Sequence, residues 1–537
     1  MFFRVLLISL ICCLCPGVSL RAAERLEVQL EDMTLPISVN DLAIWADGLS
    51  IPESINELSD WINTSQAKDS EISEWLNLLE LENKALLVKI LKAPLIKDRS
   101  MAREILRSWA GRELLDGVSS FIKLDNDETG LKVFNTFESL LQNQSEVTAL
   151  DLLQSISAKT IQIDLNALLK IATIWREELI KQRNLVFKIR KIASKETIRV
   201  TNLLDKYKSN SSISFKQKLE VSHRSIPLRL DIWRPIENSK SKNAWIILMP
   251  GLGGSQDHFS WLAKRLSRNG WAVVLIEHPG SDSRAIEELL EGKSPLPGVE
   301  VLPDRLSDLY AVLNAKNNGT FDIKAEEVVL MGHSLGALTA FLAAGAAPEI
   351  GLISRCEKAL ENLSLTNLSQ LVQCQMTNIE LVERKKVKEL KAIVAINSFG
   401  SLLWPSPKSA NIRVPVLLTG GTNDLITPAI SEQLRLMLST YPNPLSRTLL
   451  IEEASHFSPI RVEGQLNQQD GEDLFQLGEA FVGIKPLKVQ SLLGSEIIRF
   501  LKQLELGKSL ESEINIKKDE IRFHVLDRSI INSLFEI

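Results

Sequence analysis

The chain has 537 residues, with 62 Lys and Arg against 67 Asp and Glu, a formal charge of -5 that is spread without large blocks. That length, with 45% apolar residues, is enough for two or more domains with sizeable cores. The balance gives no basic footprint, so no nucleic-acid partner is expected.

The first residues, MFFRVLLISLICCLCPGVSLRAAE, place one Arg before a short apolar run, then Pro16 and Gly17, then small residues. This is the pattern of a secretory signal peptide, and the run falls short of the roughly 20 residues a membrane span needs. Cleavage after Ser19 or Ala23 fits it, giving a periplasmic or extracellular product. An uncleaved anchor is the other reading. Cys12, Cys13 and Cys15 lack the small residues a lipoprotein site places before its cysteine, which favours a soluble exported chain. Cys356 and Cys374 then remain, an even count in an oxidising compartment, and they are expected to form a disulfide; two buried thiols are the alternative.

Beyond the signal at 1–23, residues 24–165 read as a small, mostly helical domain. Leu26 to Leu30 alternates as a short strand does, Ser38 and Asp41 form a capping pattern, and Ile72, Trp75, Leu76 and Leu79 recur at helical spacing. With no histidine, and no cysteine after the signal, the domain suits binding or support better than chemistry. Residues 166–211 look like a connector of one or two long helices rich in Lys and Arg. Such a helix can lie on an anionic membrane, giving peripheral contact, or pack on its neighbour with its charges in solvent.

From Ser212 to 505 the pattern changes. Ser214 to His223 and Ile226 to Trp233 read as a hairpin. Strand signals follow at WIILMP from Trp245, at WAVVLIEHPG from Trp271, at Val328 to Met331, at Ala392 to Ile396, at Val414 to Leu418 and at Thr448 to Ile451, with helical patterns between them. The alternation predicts an α/β fold, a mostly parallel sheet with helices on both faces, whose ligands bind beyond the carboxyl ends of the strands.

The turns after those strands carry the chemistry. MGHSLGA presents Ser334 between Gly332 and Gly336, joining a strand to a helix, as a nucleophile elbow requires; the Leu335 amide opens that helix. MPGLGGSQDHF brings Gly251, Gly253 and Gly254, with the Leu252 amide as a second oxyanion donor beside Leu335. TGGTNDLITP brings Asp424 and EEASHFSP brings His456. Serine, acid, histidine in that order suits a triad in which His456 takes the serine proton and Asp424 orients the imidazole. His258, His278 and His333 are candidates to line the pocket or support it, His278 by bracing the nucleophile turn. No clustered His or Cys spacing suggests a metal.

Two resemblances follow from these residues. LEVQLEDMTLPISVNDLAIWADG, GLKVFNTFESLLQNQ and KTIQIDL resemble a domain of unknown function of exported cyanobacterial proteins. PLRLDIWRP, MPGLGG, EHPGSDS, LPDRLSDLYAVLN, GHSLGA, TNDLITP and SHF are similar to the platelet-activating factor acetylhydrolase and dienelactone hydrolase-like branch of the α/β-hydrolases. The second implies a cofactor-free serine esterase, acting on small-molecule or lipid esters such as short-acyl phospholipid-like ones, with Ser334 as nucleophile, Asp424 as acid and His456 as base. A lactone, dienelactone or peptide hydrolase is the alternative within the fold. A non-catalytic envelope binding protein is the alternative outside it. The insertion 348–390, which holds both mature cysteines and the run ERKKVKELK, is expected to cap the pocket, and 506–537 to be an extension with an added strand.

Overall fold

The computed structural model describes residues 23–30, 33–47, 92, 94–96, 108–119, 122–124, 132–133, 135–136, 139–140, 147–193, 195–198, 212–236, 242–361, 367–380, 386–461 and 485–535. The signal sequence up to residue 22, the helical pattern around Ile72 to Leu79, residues 199–211 of the connector and part of the basic run in the insertion lie outside the described residues.

The chain divides into two compact units, one of Met1–Leu106 with Leu114–Ala172 and one of Arg107–Glu113 with Thr173–Ile537. In the first, β1 (Arg25–Leu30) pairs antiparallel with β2 (Met33–Ser38) and parallel with β6 (Thr160–Asp164), which pairs with β4 (Ile122–Leu124). A short ladder joins β3 (Pro94–Ile96) to β5 (Val147–Thr148). The predicted cap at Ser38 starts α1 (Val39–Ala46), its hydroxyl accepting from the Asp41 amide at 3.2 Å. Of the further helices, α2 (Trp109–Ser119) belongs to this unit only in part, α3 (Ala149–Ser155) lies wholly in it, and α4 (Leu165–Ile192) again belongs only in part, residues 109–113 and 173–192 falling in the second unit. Leu26, Val28, Leu42, Leu150 and Ile161 form the core of this unit. The sheet adds to the helices expected here, because its strands are short and one of its pairings, β1 with β6, spans more than a hundred residues.

The second unit contains an eleven-stranded sheet, in the order β7-β16-β17-β15-β14-β13-β12-β10-β11-β9-β8. Its centre is parallel: β11 (Val273–Glu277), β10 (Ala244–Met249), β12 (Glu327–His333), β13 (Leu390–Ile396), β14 (Val416–Gly421) and β15 (Arg447–Ile451). These strands are apolar along their middles because helices cover both faces, while Glu277, Glu327, Lys391 and Arg447 stand at or near their ends. Along β10, Trp245, Ile247 and Met249 enter one core, shared with α7 (Leu302–Asn317) and α8 (Leu335–Ala343). Ile246 and Leu248 enter the other, shared with α5 (Ser260–Arg268) and α12 (Pro486–Glu505).

The expected hairpin, β8 (Ser212–Leu219) and β9 (Leu228–Pro235), forms one antiparallel edge. The carboxyl-terminal extension forms the other: β16 (Glu513–Lys518) and β17 (Ile521–Leu526) add to β15, followed by α13 (Arg528–Phe535). The connector departs from the helical expectation. It leaves the helix after Ile192, and Thr197–Ile198, a β-branched pair, forms β7 against Ile516 and Lys517. The insertion holds α9 (Leu352–Leu360) and α10 (Ser369–Gln375), joined by a Cys356–Cys374 disulfide with Cα atoms 5.4 Å apart. Among the described residues the other helices are α6 (Ser283–Leu290) and α11 (Arg435–Ser439), the latter entered through a π-helical turn at Ile430–Leu434.

Candidate active site

β12 ends at His333 and α8 begins at Leu335, so Ser334 alone makes the turn, at φ 52 and ψ -118. A non-glycine residue held there costs on the order of 1–3 kcal/mol. The surroundings enforce it: the Ser334 amide donates to Ile396 O at 2.9 Å, at the end of the neighbouring strand. The flanking glycines are a steric need. A Cβ on Gly332 would stand 2.2 Å from the Gly336 carbonyl carbon, and one on Gly336 would stand 2.0 Å from Met249 O. Strand, helix and the adjacent β10 turn therefore meet where no side chain fits.

Asp424 and His456 leave neighbouring strands, β14 and β15. Their turns are tied by the Thr422 amide to Ile451 O and the Asn423 amide to Ala454 O, both 3.0 Å. Asp424 Oδ2 lies 2.9 Å from His456 Nδ1. An ionised carboxylate can only accept, so Nδ1 carries the proton and Nε2 is left with its lone pair. Burial pushes the Asp424 carboxyl up, but His456, Thr427 and Asn397 outweigh it and hold it below the usual carboxylate range. Asn397 Nδ2 and Thr427 Oγ1 each donate to Asp424 Oδ2 at 2.7 Å, and the amides of Ile426 and Thr427 donate to Oδ1 at 2.9 and 2.7 Å. The His456 ring lies between His333, 4.8 Å away between centroids, and the edge-on Phe457 at 5.6 Å. His333 Nε2 donates to His456 O at 3.0 Å, so the residue before the serine positions the histidine loop. Burial, then the His456 charge, lowers His333 to about 3 and keeps it neutral.

The turn after β10 approaches Ser334 from the other side. A Cβ on Gly251 would come within 3.0 Å of both Ser334 Cβ and His333 Nδ1. Gly253 takes a left-handed φ of 70, its amide donating to Ser281 O at 2.9 Å, while the Gly254 amide donates to Gly251 O at 3.2 Å. With the Ser334 amide also engaged, the Leu252 and Leu335 amides are among the donors of these two turns that meet no protein acceptor among the described residues.

A buried charge network stands behind that turn. Arg305 donates through Nη2 to Pro250 O at 2.5 Å, through Nη1 to Ser281 Oγ at 2.7 Å and through Nε to Thr339 Oγ1 at 3.3 Å. One guanidinium thus joins the turns after β10 and β11 to the nucleophile helix. Asp308, one turn further along α7, accepts from Arg224 Nε at 2.6 Å and pairs with His223 Nε2 at 2.7 Å and His278 Nδ1 at 2.8 Å. The His278 side chain thus pairs with Asp308 rather than with the nucleophile turn it was expected to brace. Burial, then the Arg305 charge, lowers it to about 4. His258 sits in a 3-10 turn, where its Nδ1 accepts from the Ser255 amide at 3.3 Å and its carbonyl from the Arg461 amide at 3.0 Å. Arg305 and Asp308 received no role from sequence, although two charges three residues apart on the apolar face of a helix were a usable signal. Asn397 carried none.

The insertion reaches the acid turn. The Leu368 and Ser369 amides donate to Leu425 O and Ile426 O at 3.2 and 2.7 Å. Glu432, fully buried, accepts from Asn367 Nδ2, Ser369 Oγ and Gln373 Nε2 of the insertion, and from the Gly400 and Ser401 amides and Ser401 Oγ after β13. Among the described residues no group of three or more His, Cys, Asp or Glu is arranged to hold a metal ion.

Comparison with known families adds the last observation. Residues 246–463, from β10 to just past His456, match the model described as the Alpha/beta hydrolase family. The chain carries an α/β-hydrolase domain. Residues 47–164, which precede its sheet, match a second model, described as Alpha/beta hydrolase of unknown function (DUF1400). No curated protein matches the chain. Within the hydrolase domain, the four turns that hold Leu252, Ser334, Asp424 and His456 all lie at the carboxyl ends of parallel strands, where this class of sheet binds its ligands.

Proposed function

We propose that the protein is an exported serine carboxylester hydrolase acting on small or lipid esters, with short-acyl phospholipid-like esters as the substrate class. The observation that carries the chemistry is the Asp424–His456 hydrogen bond beside a serine held at positive φ between strand and helix. Ser334 Oγ attacks the ester carbonyl and passes its proton to His456 Nε2. The oxyanion is held by the Leu252 and Leu335 amides. The tetrahedral adduct collapses, the alcohol leaves with the proton from His456, and Ser334 keeps the acyl group as an ester. Water then gives its proton to His456 and attacks that ester, releasing acid and free serine. Export rests on the amino-terminal leader pattern and is in keeping with the Cys356–Cys374 disulfide.

Ser334→Ala should lower kcat on the order of 10³–10⁶-fold and abolish fluorophosphonate labelling together. Labelling retained on another residue would overturn the assignment. A panel of acyl esters from short to long then tests the substrate class: a preference for long chains would reject the short-acyl reading.

A further inference from the structure

α4 has two faces of opposite character. Ile171, Gln182 and Ile189 are buried on one. On the other, Leu179, Ile180 and Phe187 are 44%, 43% and 55% exposed. These side chains do not stand alone. Leu179, Ile180, Arg183, Phe187 and Lys191 recur at spacings of three, four and seven, so they share one stripe about 20 Å long. The Lys191 ammonium lies over the Phe187 ring, 4.6 Å from its centroid, and Lys181 and Lys188 flank the stripe.

The charge of the helix is opposite to that of the chain. α4 has seven Lys or Arg against two Glu, a net of +5, where the whole chain is -5. Both acids, Glu177 and Glu178, precede the stripe, and Glu177 makes only a loose, exposed pair with Lys181 at 3.8 Å. Arg190 turns away, donating through Nε to Glu452 Oε1 at 2.8 Å, and so anchors the helix to β15. The stripe keeps Lys181, Arg183, Lys188 and Lys191.

We infer that this face of α4 docks on an anionic lipid surface. The mixture selects that occupant. Lysine is depleted from the cores of protein–protein contacts, whereas at a bilayer surface its stem lies along apolar groups while the ammonium reaches the headgroup phosphates. Three apolar side chains flanked by cations, on a helix fixed to a folded domain, suit the headgroup boundary rather than insertion across it. The inference does not depend on the hydrolytic chemistry, though it would bring a lipid ester within reach of the enzyme.

The test is co-sedimentation of the full-length protein, carrying Ser334→Ala to spare the lipid, with vesicles of phosphatidylcholine alone or mixed with phosphatidylglycerol. Binding should require phosphatidylglycerol and weaken with salt. The triple change K181Q, K188Q and K191Q should reduce it on the order of a hundredfold, at about fivefold per charge, and I180S with F187S should reduce it at least tenfold. In a Ser334 background the same changes should leave hydrolysis of a water-soluble ester and the unfolding temperature unchanged, so a failed docking test remains distinct from a failed assignment of chemistry. Binding that neither set of changes alters would place the contact elsewhere and overturn the proposal. So would absence of binding, or lipid-free self-association that these changes abolish, which would make a second copy the occupant.

Discussion

Arg305 is a fully buried guanidinium whose task is set by geometry. Its three donor atoms reach three segments, and only a planar fork can serve all of them from one position. Pro250 O, its shortest partner, belongs to the residue before Gly251 and Leu252, so any shift there moves the proposed oxyanion donor. Arg305→Lys keeps a charge but loses the fork. It should lower kcat roughly ten- to a hundredfold with little change in KM, because a misplaced donor weakens transition-state binding more than substrate binding. Arg305→Met removes the donor to three buried acceptors, Pro250 O, Ser281 Oγ and Thr339 Oγ1, and should destabilise the fold on the order of 3–5 kcal/mol in urea unfolding. A lysine variant with unchanged kcat would reduce Arg305 to a structural role.

At the scale of elements, the parallel strands were legible in sequence because burial on both faces makes them continuous apolar runs. The strand-to-turn placement of Ser334, Asp424 and His456 was legible because each of these residues follows closely on an apolar run. Contacts between distant segments were not legible. β1 pairs with β6 across more than a hundred residues, and Glu432 draws donors from two other segments, neither marked by local periodicity. The insertion shows both sides of this. Its cysteines could be paired from their count and an expected oxidising compartment, while its attachment to the turn at Leu425 and Ile426 could not be foreseen. The disulfide closes a segment of sequence separation 18, so Cys356→Ala with Cys374→Ala should cost about 3 kcal/mol. Because α10 follows directly from the residues that strap the acid turn, kcat should also fall, and reduction of the parent protein should reproduce both effects. Equal urea midpoints for reduced and oxidised protein would refute this.

Across the whole molecule, several buried titrating groups make the fold sensitive to acid, while Asp231, which burial pushes up, acts in the other direction. His278 and His333 are held neutral, lowered by burial to about 4 and about 3, against about 6.5 in an unfolded chain. Below pH 6.5 the unfolded state therefore takes up protons that the folded state refuses, so stability rises with pH through this window and falls on acidification. The slope approaches about 1.4 kcal/mol per pH unit for each excluded proton. Carboxylates continue the trend at lower pH. His278 and Arg224 hold Asp308 below its usual range, and His524 and Arg190 hold Glu452 at about 2, in each case against burial, which acts in the other direction. Stability from these two is present above the unfolded carboxylate values near 4 and is lost as pH falls through the folded ones. Urea midpoints should thus drop between pH 6.5 and 4.5, before any carboxylate titrates in the unfolded chain to a large extent. His278→Asn offers a specific check, since an amide N–H can still donate to Asp308 but cannot take up a proton. The variant should lose part of the pH dependence in that window while keeping most of the stability at pH 7. Were its midpoint to fall with pH as steeply as the parent's, the acid sensitivity would not come from the His278 imidazole.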